Sequence, residues 1–170
     1  TQAERSGMKP VRGTVPGTRA WGVWICCSRT QDGQYYLDNN SPLLNVKVRQ
    51  ALNKAIDRDA LQKAFFPKGE KMVINHMHPT WPGWDATWER RFNDLYGYDP
   101  EAAKRLLAEA GYGPNNPVKT NIGIRPSTTI ANAPDVEEAI GAYWRAVGVD
   151  VSIIQTEVAQ QTAEVRAFKW

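Results

Sequence analysis

A chain of 170 residues with 42% hydrophobic and 23% charged residues is long enough to bury one core and too apolar to remain disordered. Its formal charge of +3 is scattered among interleaved acids and bases without a Lys/Arg run, which argues against a nucleic-acid partner. No apolar run reaches the length of a membrane span. The chain opens on Thr1 without a leader-like segment, so it reads as a piece of something longer.

In chain order, Thr1 to Gly7 reads as the tail of a helix, and Val11 to Arg19 as extended chain with turns at Gly13, Pro16 and Gly17. Arg19 to Ser28 is aromatic and β-branched enough for a strand, Gln31 to Gln34 is a turn, and Tyr35 to Asp38 is a short returning strand. Cys26 and Cys27 are adjacent, so their side chains would point to opposite faces of that strand; they read as small buried thiols, not a disulfide. Pro42 stands where the chain is not yet helical. Val48, Ala51, Leu52, Ala55 and Ile56 then recur at i, i+3, i+4, i+7 and i+8, one stripe of an α-helix starting near Val46. Asp57 suits the N-cap of a second short helix through Ala60, Leu61, Ala64 and Phe65, closed by Pro67 and Gly69.

Pro67 to Tyr98 reads as one long irregular segment holding Trp81, Trp84 and Trp88. Asp99-Pro100-Glu101 then starts a helix with a cap, a proline in the first turn and an acid beside it, and Gly111 stops it. Glu101/Arg105 and Arg105/Glu109 are its i,i+4 pairs. Val118 to Ile124 reads as a strand, Asp135 to Val147 as a helix stopped by Gly148, and Val149 to Gln155 as a strand. This order implies a parallel pair joined by a crossover helix. Val158, Val165 and Phe168 recur at roughly helical spacing in the last stretch. The architecture is one α/β domain with a mixed sheet and packed helices.

Chemistry has few candidates. His76 and His78 form an H-x-H pair without the third and fourth ligands that zinc needs, so structural histidines are the plainer reading and a metal-dependent hydrolase the sharper one. No nucleophile elbow, phosphate loop or acid–base pair stands out, so no catalytic residue is named. The tryptophans, Trp84 above all, suit a surface for sugars or peptides, and equally suit stapling a loop onto a core. Arg125 follows a strand and precedes Pro126, at the mouth of the crossover where α/β sheets hold ligands. An arginine there can grip a carboxylate bidentately, with Ser127, Thr128 and Thr129 adding hydroxyls; a solvated loop arginine is the alternative.

The wording of the helices is more specific than their pattern. Leu44-Asn45-Val46-Lys47-Val48-Arg49-Gln50-Ala51-Leu52 with Ala55-Ile56-Asp57-Arg58 resembles the signature of family 5 extracellular solute-binding proteins, the dipeptide-, oligopeptide- and nickel-type receptors of ABC importers. Tyr98 to Tyr112 (YDPEAAKRLLAEAGY) is similar to the family's second block, His78 to Trp84 to its Pro/Trp loop, and Val147 to Val151 to its third block.

The resemblance implies that residues 1–170 are a single truncated domain. That domain would be part of the C-terminal lobe (domain III) of a type II periplasmic-binding-protein-like fold. Such receptors are monomers that close around a solute between two lobes, outside the cytoplasm, and deliver it to membrane permease subunits without a cofactor or a catalytic step. Whether the parent is free or lipid-tethered is open. The implied ligand is a di- or oligopeptide, whose carboxylate the Arg125-Pro126 position would meet. The family's aromatic residue after that proline is Ser127 here. The opposing lobe and the acid that holds a peptide's amino group would lie outside the chain. The expected ligand contacts are thus Arg125, Ser127, Thr128 and Trp84, with no metal site. A carbohydrate-binding protein using the Trp-rich loop is the alternative.

Overall fold

The computed structural model describes residues 28–31, 34–37, 39–65, 82–124, 132–155 and 157. The expectations for residues 1–27, for His76, His78 and Trp81, and for the chain beyond Glu157 lie outside them. The first described elements, β1 (Ser28–Gln31) and β2 (Gln34–Leu37), pair antiparallel with Gln31 opposite Gln34. The returning strand is therefore present, one residue earlier than its β-propensity suggests. Of the strand expected from Arg19 to Ser28, only Ser28 is described.

The chain is already helical at Pro42, which opens a single 3-10 turn, Pro42–Leu44, whose carbonyls at Leu43 and Leu44 accept from Arg49 Nη1 at 2.6 and 2.8 Å. The first α-helix, α1 (Val46–Lys54), starts at Asn45, whose side chain accepts from the Lys47 amide at 2.9 Å. Its stripe is the centre of the core: Val48 and Ala51 are fully buried, and Leu52, Ala55 and Ile56 nearly so. The second helix, α2 (Arg58–Phe65), is capped as expected, the Asp57 carboxylate accepting from the Ala60 amide at 2.9 Å.

The segment read as irregular contains a helix, α3 (Thr87–Tyr96). Asp85 starts it by accepting from the Thr87 amide at 2.8 Å, which with the nearby arginines Arg91 and Arg90 holds its carboxyl below the ordinary range. Trp88, Phe92 and Tyr96 form an i, i+4, i+8 stripe that the neighbouring Pro, Gly and Trp residues disguise in the sequence. The next helix, α4 (Pro100–Glu109), has the predicted cap, Asp99 accepting from the Ala102 amide at 2.8 Å, and Gly111 beyond its end at φ 87°. Its close ion pairs are Glu101 with Lys104 at 2.8 Å and Glu109 with Lys47 of α1 at 2.9 Å, and the charge of Arg105 acts on Glu109 as well, as their i,i+4 spacing implies. α4 lies along α1 and α3 packs against α1 as well.

The last three elements are β3 (Lys119–Ile124), α5 (Ala133–Ala146) and β4 (Asp150–Gln155). β3 and β4 are parallel, in register from Lys119 opposite Asp150 to Ile124 opposite Gln155, which is the pairing that the strand–helix–strand order implied. α5 covers one face of the pair and approaches it closely at Gly141, where a Cβ would stand 3.1 Å from Ile153 Cδ1 and 3.5 Å from Ile122 Cδ1. Arg145 Nη2 and Nε donate to the Val151 carbonyl at 2.9 and 3.2 Å, occupying part of the β4 backbone.

One residue joins this layer to α1. Trp144, 3% exposed, donates its indole N–H to the Leu52 carbonyl at 2.9 Å. The other carbonyls at the end of α1 are also taken: Asn53 O by the Ile56 amide at 3.3 Å and by Arg58 Nη1 at 2.9 Å, and Lys54 O by the Asp99 amide at 2.9 Å. A helix end leaves such groups orphaned, and burial makes each one costly unless it is matched. The end of α1 is therefore capped by α5, by α2 and by the start of α4 at once.

Candidate functional site

The parallel pair sets the geometry. β3 and β4 end side by side at Ile124 and Gln155, and Arg125, Ser127 and Thr128 fall in the sequence between the buried Ile124 and Asn132 at the start of α5. Those three residues lie outside the described ones. Of the described residues that flank them in the sequence, Ile124 is 3% exposed and Ala133 is 4% exposed.

Asn132 occupies the N-cap position of α5 but makes no capping bond with its side chain; its Nδ2 donates instead to the Phe65 carbonyl at the end of α2. Nothing in the sequence signals this, because an asparagine before a helix reads as an ordinary cap.

Trp84 is half-buried and meets Trp88 edge to face, ring centroids 5.4 Å apart, just before α3 begins. That contact fastens the loop onto α3. α3 packs on α1, whereas β3 packs on β4 and α5, so Trp84 and the exit of β3 belong to elements with different neighbours.

Arg58, in the sequence no more than the last residue of a motif, has a structural task. Its guanidinium lies over the Phe92 ring at 5.0 Å and donates to Asn53 Oδ1 at 2.7 Å and to the Tyr96 carbonyl at 3.4 Å, besides the bond to Asn53 O. It thus stands at the C-terminal ends of α1 and α3, the negative ends of both helix dipoles. Burial lowers its pKa. Beside it is a crevice of about 80 Å³ between Asp57, Asp59, Asn93 and Tyr98. An open groove of about 360 Å³ runs between α2 and α5 over Ala60, Leu61, Ala64, Phe65, Ala139 and Tyr143. It is apolar and offers no cation to a carboxylate. Burial first, then the charge of Asp57 and the neighbouring Tyr98, raise the Tyr143 phenol above its ordinary value; the Tyr98 and Tyr143 rings are 6.3 Å apart. Among the described residues, no group of three or more His, Cys, Asp or Glu side chains could hold a metal ion.

Residues 8–170 match the family of bacterial extracellular solute-binding proteins, family 5 Middle. The chain belongs to this family. It is a family of transport binding proteins, not of enzymes. The heme-binding protein A of Haemophilus influenzae is 39% identical over 124 residues, 70% of this chain and 21% of that protein. The dipeptide-binding protein of Escherichia coli is 35% identical over 125 residues, 72% of this chain and 22% of that protein. The solved structure of HbpA2 from Haemophilus parasuis superposes with a TM-score of 0.64 at 31% identity, covering 77% of this chain and 25% of that one. The fold, helices packed on a small parallel sheet, is accordingly that of family 5 periplasmic binding proteins. The chain spans about a fifth of the length of the curated relatives it matches.

Proposed function

We propose that the chain is part of the C-terminal lobe of the substrate-binding component of an ABC importer, and that the whole receptor takes di- or oligopeptides in a cleft between two lobes. It works as a monomer outside the cytoplasmic membrane, by lipid tether or free, and hands its ligand to permease subunits. Arg125 grips the ligand's carboxylate, Ser127 and Thr128 donate hydroxyls to it, and Trp84 supplies an apolar wall.

The observation that carries this reading is that the parallel strand β3 ends at Ile124, the residue before Arg125 in the sequence, with α5 following from Ala133. The 35% identity to a dipeptide-binding protein supports peptide as the ligand class. α5 adds to this, because its first turn lacks a side-chain cap and its positive dipole end follows the same loop. A peptide lying across this lobe alone leaves its other side in water, so binding needs both lobes.

A second reading is favoured by the 39% identity to a protein named for heme. The propionates of heme are carboxylates too, so the same arginine would serve. Native mass spectrometry of the full-length receptor, purified gently, separates the two. A mixed set of short-peptide masses, stripped by Arg125→Ala, supports peptide. A single heme mass with Soret absorbance replaces peptide by heme, and a sugar mass overturns both.

A further inference from the structure

We infer that Arg145 guards the outer edge of β4 against strand pairing with a second copy of the chain. Successive residues of a strand turn their backbone groups to alternate sides, and the Asp150 amide donates toward β3, to the Val118 carbonyl at 2.8 Å. Asp150, Ser152 and Ile154 therefore bond to β3, while Val151, Ile153 and Gln155 turn their N–H and C=O groups away from it. The first outward acceptor of β4 is thus the Val151 carbonyl. Arg145, in the last turn of α5, donates to it twice, from Nη2 at 2.9 Å and from Nε at 3.2 Å.

A strand added on this side would run about 4.8 Å from β4. A guanidinium already stands in that lane, and the carbonyl already has two donors, so no ladder can include Val151. The composition of the edge explains the need. Val151-Ser152-Ile153-Ile154-Gln155 is prone to β-structure and carries no charge, and Ile154 is 42% exposed. A charge on such an edge keeps sheets from growing from one chain into the next. The excluded occupant is a second copy because the edge matches itself. With two chains antiparallel and centred on Ile153, Gln155 of one faces Val151 of the other. Fastening α5 to β4 is the plainer role for the same bonds, and only a guard controls association.

The test therefore reads association, in the full 170-residue chain, by analytical ultracentrifugation over a concentration series. Arg145→Met keeps a long side chain suited to a helix and removes both the donors and the charge. It is expected to dimerise more tightly than wild type by about tenfold or more. Hydrogen exchange at the Ile153 and Gln155 amides should slow as the concentration rises. The Ser152 and Ile154 amides, already bonded to β3, should keep their rates. Adding Gln155→Pro removes the N–H that the bared Val151 carbonyl would take, and should return Arg145→Met to wild-type association.

Equal association of wild type and Arg145→Met overturns the inference and leaves Arg145 a fastener of α5. So does association that persists with Gln155→Pro, or that protects no outward amide of β4. Should Gln155→Pro itself disturb the fold, seen by far-UV circular dichroism, the exchange pattern of Arg145→Met alone decides. Should Arg145→Met not fold, Arg145→Gln, too short to hold the carbonyl in the same way, takes its place with the same expected outcomes.

Discussion

The indole N–H of Trp144 donates to the backbone carbonyl of Leu52 at 2.9 Å, across 92 residues of sequence and inside the core. Neither group has water to turn to, so each depends on the other. Trp144→Phe keeps an aromatic ring in the site and orphans the carbonyl. The expected loss is about 1–3 kcal/mol from that group alone, and Trp144→Ala should reach about 3–5 kcal/mol through the cavity. Urea unfolding followed by far-UV circular dichroism measures both. A Trp144→Phe midpoint equal to wild type would show that the bond is dispensable.

Arg58 donates to uncharged acceptors at two helix ends and meets no carboxylate within the bonds described for it. Arg58→Lys cannot span both ends, since one ammonium replaces a planar fork. The expected cost is about 1–3 kcal/mol, and it should be nearly the same in 50 mM and in 1 M NaCl at neutral pH. A cost that vanishes in high salt would mean that a surface ion pair, and not the helix-end carbonyls, is what Arg58 serves.

Tyr143 titrates above its ordinary value because of burial, the charge of Asp57 and the neighbouring Tyr98. The folded protein therefore holds that proton more tightly than the unfolded chain does. Stability should fall as pH rises from the unfolded value near 10 through the higher folded one. Asp57→Asn removes the charge while keeping a good cap for α2, whose Ala60 amide it holds. The Tyr143 ring signal in carbon NMR should then titrate at lower pH than in wild type. An unmoved titration would leave burial and Tyr98 as the whole cause.

Gly148 ends α5 at φ 93°, and a Cβ there would meet nothing within 4 Å. Gly148→Ala thus costs only the strain of the left-handed backbone, about 1 kcal/mol. Thermal unfolding should show a drop of about 3 °C with no change in denaturant slope. A much larger loss would place a contact where the structure has open space.

How much of this was legible follows from where the information sits. α4 could be read almost to the residue, because Asp99, Pro100, Glu101 and Gly111 are local signals that act within one turn. The parallel pairing of β3 and β4 followed from the strand–helix–strand order. α3 could not be read, since Trp84 and the Pro82-Gly83 turn before it suggested irregular chain while its stripe is aromatic, not aliphatic. Trp144 was recognisable as a core position, but its bond to Leu52 was not, because the partner is a backbone atom that any residue could have supplied. Arg58 and Asn132 were hidden for the same reason. Their acceptors are carbonyls left over at helix ends, and which helix ends meet is decided by packing. That a strand ends at Ile124 was legible from order, and the bond from Asn132 to the Phe65 carbonyl was not.

The shared capping of α1 has a consequence for how the chain is made. A ribosome releases Val46 to Lys54 long before it releases Asp99, and Asp99 long before Trp144. Until then the carbonyls of Leu52 and Lys54 have only solvent to bond, and the last turn of α1 lacks two of the partners that hold it in the finished protein. The segment that names the family is thus synthesised early and completed late. A nascent chain stalled before Trp144 should carry a frayed α1, open to proteases, and should close it only when the crossover helix emerges.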